Sequence, residues 1–302
     1  MIPTPHSVIL NLFQDLELFI KMKLTKFFLL LFLLTSGAAS AHNPPKIVAS
    51  INPIYQILVA ITEDKNNSIL IINPNISEHD YQLKKSDAKA VFEADLIFYV
   101  DNDLEKNFAK LVQGKKSYQL SQISNIKLLQ RRGNAKKLDP HLWLNPENAV
   151  KIAEFMTQKI CEIDAENSKK YQQNLEKFKK EIAKTEKIIH QKFQKIAAEN
   201  FVFYHDGYQY FEDYFDLKPL KVITDGHDRD LTIASTRTFD KLAKSNQIKC
   251  LFGDLYDEKN SAQKLAANYQ IKFATLDFMG TQVGYPELLL GISDAMSKCL
   301  SE

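Results

Sequence analysis

The chain has 302 residues, with 39 lysines and arginines against 37 aspartates and glutamates, a formal net charge of +2. So balanced a surface gives no electrostatic ground for binding nucleic acid or a strongly acidic partner. Three cysteines without a C-x-x-C spacing argue against a cysteine-based metal or redox centre.

The first 41 residues read as processing signals. Lys23 and Lys26 form a charged start, residues 27–34 an apolar core, and Ala39-Ser40-Ala41 a small-residue cleavage site. The core is too short to span a bilayer. Residues 1–21 read as an extension ahead of a true start at Met22. Export implies an oxidising compartment in which disulfides persist. No second long apolar run occurs, so the mature chain is expected to be soluble.

Strands and helices then alternate. Residues 46–51 (K-I-V-A-S-I) are expected as a strand, and Pro53 opens a helix to about Thr62. Residues 68–72 (S-I-L-I-I) form a second strand, apolar enough to be buried on both faces. The turn Asn73-Pro74-Asn75 leads into Glu78 and His79. Ser86 is expected to cap a helix to Ala94. Residues 96–100 are a third strand, 103–112 a helix ended by Gly114, and a short strand surrounds Tyr118. This alternation predicts a parallel α/β sheet, in which ligands bind beyond the carboxyl ends of strands.

Residues 125–138 read as a polar, basic loop, the best candidate for a mobile segment. Asn145-Pro146 reads as the N-cap and first residue of a helix to about Asp164. Residues 168–198 are the longest element, with Tyr171, Leu175, Phe178, Ile182, Ile189, Phe193 and Ile196 at three-four spacing. We read it as a single spine rather than a coiled coil, because strand-helix alternation resumes directly afterwards. Strands are expected at 201–204, 220–223, 249–252 and 271–276, with helices between them and a last helix at 287–299. Domains follow as 1–41 (extension and signal peptide), 42–165 (first α/β lobe), 166–200 (linking helix) and 201–302 (second α/β lobe).

Three histidines have similar settings. His79 lies in S-E-H-D-Y, His141 in D-P-H-L-W-L-N-P and His205 in F-V-F-Y-H-D-G, each at the end of a strand or the start of a helix. We expect the three imidazoles to meet and hold one metal ion, since neutral imidazole suits zinc and three protein ligands leave one further position. Glu78, Asp80, Asp139 and Asp206 stand beside these histidines, to complete the shell or to hold the second ring nitrogen. Spacing alone does not separate a shared metal from three independent loop histidines. His190 reads as a surface residue, His42 as lying beside the cleavage site and His227 as a possible accessory metal residue in an acidic loop. Cys161 reads as a buried free thiol. In an exported protein Cys250 and Cys299 could tie the last helix to the last lobe.

The segments S-E-H-D-Y-x-L-x-x-S-D, A-D-L-I-F-Y-V, D-P-H-L-W-L-N-P, F-V-F-Y-H-D-G-Y-Q-Y-F and T-L-D-F-M-G together resemble the metal-specific solute-binding proteins of bacterial ABC transporters, in particular the periplasmic zinc-binding branch. The resemblance covers nearly all of the mature chain. It implies two parallel-sheet α/β lobes joined by one long rigid helix, with the metal in the interlobe cleft. It implies His79 and His141 as ligands from the first lobe and His205 from the second, where manganese binders place a carboxylate. Glu78 and Asp277 match two competing fourth ligands, of which Glu78 or water is favoured here. A Cys250–Cys299 disulfide also matches the family. The implied function is non-catalytic capture of zinc in the periplasm, as a monomer, and delivery to a membrane permease. A manganese carrier of the same family, an exported zinc hydrolase and a surface adhesin are the competing readings. Two departures are visible: residues 125–138 hold no histidine, where many zinc members carry a histidine-rich loop, and Lys85 stands where the family usually has proline.

Overall fold

The computed structural model describes residue 23 and residues 43–74, 81–196, 199–224, 233–245, 247–257, 260–281 and 283–301. Pro44–Glu302 form one compact unit and Met1–Asn43 another, of which Lys23 and Asn43 are described. The signal-peptide reading, with His42, thus lies outside the described residues, as do Glu78, His79, Asp80 and His227. Among the described residues no helix is long and apolar enough to cross a membrane.

In chain order the compact unit runs β1 (Ile47–Ala49), α1 (Asn52–Thr62), β2 (Ser68–Leu70), α2 (Lys85–Glu93), β3 (Leu96–Tyr99), α3 (Lys106–Leu111), β4 (Ser117–Gln119), β5 (Gln130–Arg131), β6 (Asn134–Leu138), α4 (Pro146–Cys161), α5 (Ser168–Phe193), β7 (Phe201–His205), α6 (Gln209–Phe215), β8 (Lys221–Thr224), α7 (Ile233–Lys244), β9 (Cys250–Asp254), α8 (Ser261–Asn268), β10 (Lys272–Leu276) and α9 (Tyr285–Ser301). Two four-stranded sheets result, ordered β2-β1-β3-β4 and β8-β7-β9-β10. Every pairing in both is parallel. The second sheet therefore repeats the winding of the first. In each, the chain order reverses beside the first-formed strand, and connections leaving the strand ends there diverge and open a crevice. β1, β3, β7 and β9 flank these two points and are buried along their whole length. Their continuous apolar runs fit sheets covered on both faces.

The expected spine is present as α5, 26 residues long, which corresponds to roughly 39 Å. It stops at Phe193, where turns at 194–196 carry Ile196 into the core. Its inward stripe is Tyr171, Asn174, Phe178, Ile182, Thr185, Ile189 and Phe193. Asn174 takes the place expected for Leu175. It is buried because its amide donates to the Ile61 carbonyl at the end of α1, 2.9 Å away. The spine packs against α1, α4 and α9.

One buried apolar cluster runs from Ile47 in β1 through Trp143, Phe178, Phe203 and Phe278 to Leu300 in α9. The two lobes thus share a core. A smaller cluster containing Val202, Tyr204, Phe239 and Leu251 covers the other face of the second sheet. Cys250, at the start of β9, is bonded to Cys299 in α9, with Cα atoms 6.2 Å apart.

Three sequence expectations need correction. Residues 130–138 are an antiparallel hairpin rather than a loop. Its turn is made by Gly133, whose φ of 76° favours glycine. Ser86 is not the cap of α2: the helix starts at Lys85, and the Asp87 carboxylate accepts the Lys84 N–H at 2.8 Å. Cys161 is free, as expected, but only half-buried.

Candidate metal centre between the lobes

His141 is positioned from below by the cap of α4. The Asn145 side chain accepts the Asn148 N–H at 3.0 Å, and Asn148 in turn donates to the Leu142 carbonyl at 3.1 Å. These bonds fix the turn Leu142–Leu144 that follows the histidine. Trp143 in that turn is fully buried and donates its indole N–H to the Phe278 carbonyl at 2.8 Å. The chain's one tryptophan therefore ties the His141 loop of the first lobe to the loop after β10 in the second. Tyr285 strengthens the tie by donating to the Trp143 carbonyl. Asn52, at the start of α1, donates to the Met279 and Gly280 carbonyls at 2.9 and 2.6 Å.

His205 reaches the same place from the other side. It is the last residue of β7, at the point where the second sheet reverses its winding. The rings of His141 and His205 lie 5.7 Å apart between centroids, nearly perpendicular. Both side chains are buried, each with 2% of its surface exposed. Phe278 packs on both, at 5.5 Å from His141 and 5.7 Å from His205. Gly207 passes close by. A Cβ there would stand 3.1 Å from two atoms of the His205 ring and 3.7 Å from His141 Nε2.

An aspartate stands against Nδ1 of each imidazole, and at His141 the contact is a hydrogen bond. Asp139 Oδ1 lies 2.8 Å from His141 Nδ1 and also accepts the His141 backbone N–H at 2.9 Å. Burial pushes the Asp139 carboxyl up, but the charge and hydrogen bonds of His141 outweigh it and hold it below its ordinary value. Asp254 Oδ2 lies 2.9 Å from His205 Nδ1. At His141 the Asp139 hydrogen bond fixes the tautomer and leaves Nε2 as the donor to a metal. Both ring nitrogens of His205 are buried with no hydrogen bond among the described residues, so its Asp254 contact is a close approach of charge and ring rather than a hydrogen bond. Two imidazoles on one zinc, with Zn–N bonds of about 2 Å and tetrahedral angles, have ring centroids roughly 5 Å apart. The observed ring separation of 5.7 Å is close to that value.

The sequence reading missed Asp254. It offers a carboxylate neighbouring His205 in the chain, Asp206, to complete the metal shell or to hold the second ring nitrogen. Instead Asp206 pairs with Arg132 of the hairpin. Asp254 is remote in sequence but ends β9, which pairs with β7 as Phe203↔Phe252. The signal available was positional: F-V-F-Y-H and C-L-F-G-D end neighbouring strands with polar residues.

Asp277 follows β10, as expected. Its Oδ1 accepts the Met279 and Gly280 N–H groups and the Tyr256 hydroxyl, at 3.0, 2.9 and 3.0 Å. Its Oδ2 accepts the Thr281 N–H and hydroxyl, both at 2.7 Å. Four donors from its own loop, with the Tyr256 hydroxyl that Asp277 shares with the Pro74 carbonyl, fill the acceptor capacity of a carboxylate. Among the described residues, no three histidine, cysteine, aspartate or glutamate side chains are grouped as a metal shell. His190 is exposed, its ring against Phe215, as its place on the spine suggested.

The geometry is that of two neighbouring imidazoles, each with an aspartate beside Nδ1, buried between parallel-sheet lobes. A family model described as "Zinc-uptake complex component A periplasmic" matches residues 47–299. The chain belongs to this family. Among curated zinc-uptake component A relatives, the high-affinity zinc uptake system protein ZnuA of Haemophilus ducreyi is 26% identical, over 85% of this chain and 93% of that protein. That of Brucella suis is 22% identical, over 88% of this chain and 95% of that protein. A solved structure titled as a ZnuA deletion mutant with zinc bound superposes with a TM-score of 0.77 at 20% identity, over 86% of this chain and 99% of that one. For the zinc-uptake component A fold, the two parallel sheets and the single long helix thus stand as the sequence implied.

Proposed function

We propose that this protein captures zinc in the periplasm and delivers it to an ABC permease, and that it is a carrier and not an enzyme. The observation that carries this reading is the meeting of His141 and His205, from opposite lobes, with Nδ1 of each against a buried aspartate. Two imidazoles at that separation favour a borderline metal such as zinc over manganese, which prefers oxygen ligands. His79 is the proposed third ligand. The saturation of Asp277 by its own loop and by Tyr256 supports Glu78 or water in the fourth position. Family membership and the names of the relatives support zinc as cargo and the periplasm as the compartment. The domain limits proposed are a first lobe to about residue 165, the linking helix, and a second lobe from residue 201.

Titration calorimetry of the metal-free protein tests this. One equivalent of zinc should bind, and His141→Ala or His205→Ala should weaken it by more than the roughly 10–100-fold typical of residues that only support ligands. Zinc bound equally tightly by both variants would overturn the assignment. Turnover of ester or peptide substrates by the zinc-loaded protein would favour a hydrolase instead.

A further inference from the structure

Arg132 sits at the tip of the hairpin formed by β5 and β6, yet its partners belong to the second lobe. The two terminal guanidinium nitrogens grip Glu212 as a pair, at 3.3 and 2.5 Å, and one of them also donates to Asp206. Both carboxylates are buried, with 3% and 4% of their side chains exposed, whereas the arginine is 36% exposed. The hairpin around it is docked on the same helix. Lys127 pairs with Asp213, Gln209 donates to the Gln130 carbonyl at 3.1 Å, and Tyr210 accepts the Leu129 N–H at 2.9 Å while donating to the Asp139 carbonyl at 3.0 Å. The guanidinium is therefore anchored on the second lobe while part of its side chain meets solvent.

Asp206 is the residue after His205, and its carboxylate lies near enough to interact with both Asp139 and His141. A buried carboxylate in that position is a hard oxygen donor beside a site built from imidazoles. Hard donors favour manganese and magnesium, imidazole favours zinc, and zinc sites discriminate by donor type and geometry rather than by raw affinity. The planar fork of Arg132 is anchored on Glu212 by paired hydrogen bonds, which aims one of its nitrogens at the Asp206 carboxylate in a fixed direction that a lysine does not reproduce. We propose that Arg132 is a positioning residue that sets metal preference: it holds the Asp206 carboxylate off the cleft, so that the site presents imidazoles to the incoming ion. This rests on the zinc site proposed above.

The test is equilibrium competition between zinc and manganese for the full-length exported protein, with metal content read by mass spectrometry. Wild type, R132Q, R132K, D206N and R132Q/D206N are compared. Losing the fork frees Asp206, so R132Q should shift preference toward manganese by about tenfold, the lower end of the effect of residues that support ligands. R132K should shift it in the same direction by less. D206N alone should leave the preference near wild type, and R132Q/D206N should return to it. General structural damage weakens both metals together and does not move the ratio. An unchanged ratio in R132Q and R132K, or a shift that D206N fails to reverse, would overturn the role of Arg132. Where R132Q does not fold, R132K against D206N decides alone. A wild type that takes up neither metal would overturn the zinc site itself, and the role of Arg132 with it.

Discussion

At the scale of single residues, the proposed site rests on groups outside the proposed ligand set. Asp254 lies against His205 Nδ1 from a neighbouring strand, and Asp139 is hydrogen-bonded to His141 from within its own loop. Asp254→Asn should lower zinc affinity about 10–100-fold, and calorimetry showing no change would remove Asp254 from the site. Gly207→Ala should also weaken binding, because its Cβ would crowd the His205 ring at 3.1 Å. A third residue gives a pH dependence away from the metal. Glu105 accepts the Val100 and Asp101 N–H groups at 2.8 and 2.9 Å at the end of β3. Burial outweighs those bonds and pushes its carboxyl up from 4.5 to about 7. The folded state therefore binds a proton that the unfolded state has released. The stability this group contributes is fully present below pH 4.5 and lost as pH rises through 7. Urea midpoints at pH 5 and pH 8 should show wild type losing more stability over that interval than Glu105→Gln, which does not titrate. Equal losses would contradict this.

At the scale of elements, the instructive case is the stretch 125–138. Its basic, polar composition read as a loop, yet it pairs as a hairpin and docks on α6. Composition was a poor guide because the hairpin is exposed on both faces and lacks the apolar alternation that marks a half-buried strand. What orders it is a set of polar contacts to partners some 80 residues away, from Lys127 to Asp213 and from Arg132 to Glu212. By contrast α4 was legible, because Asn145-Pro146 is a local start signal whose cap the structure contains. The Cys250–Cys299 bond joins β9 to α9 across a separation of 49 residues. Closing a loop of that length is worth roughly 4 kcal/mol in the chain-entropy model. The double variant Cys250→Ser/Cys299→Ser should therefore unfold at markedly lower urea concentration than wild type, while Cys161→Ser should not. Similar midpoints for wild type and the double variant would show that the bond adds little.

At the scale of the whole molecule, the sequence carried the architecture because strand-helix alternation is a local pattern, repeated on both sides of an uninterrupted 26-residue helix. It carried His141 and His205 because each ends a recognisable segment. It did not carry the interlobe frame. The bonds from Trp143 to Phe278, from Asn52 to Met279 and from Tyr285 to Trp143 join residues up to 227 positions apart and follow no periodicity. These bonds and the common apolar core bind the lobes tightly around the histidine pair. The site should therefore be largely preformed, with metal binding changing side chains more than the relation of the lobes.

The most direct measurement is diffraction at the zinc absorption edge from crystals of the protein loaded with one equivalent of zinc. The account predicts a single anomalous peak between the lobes, bonded at about 2 Å to Nε2 of His141 and Nε2 of His205, with Asp139 and Asp254 still at their Nδ1 atoms and Asp206 still on Arg132. A zinc ion bound elsewhere, or one that leaves either imidazole unbonded, would contradict it.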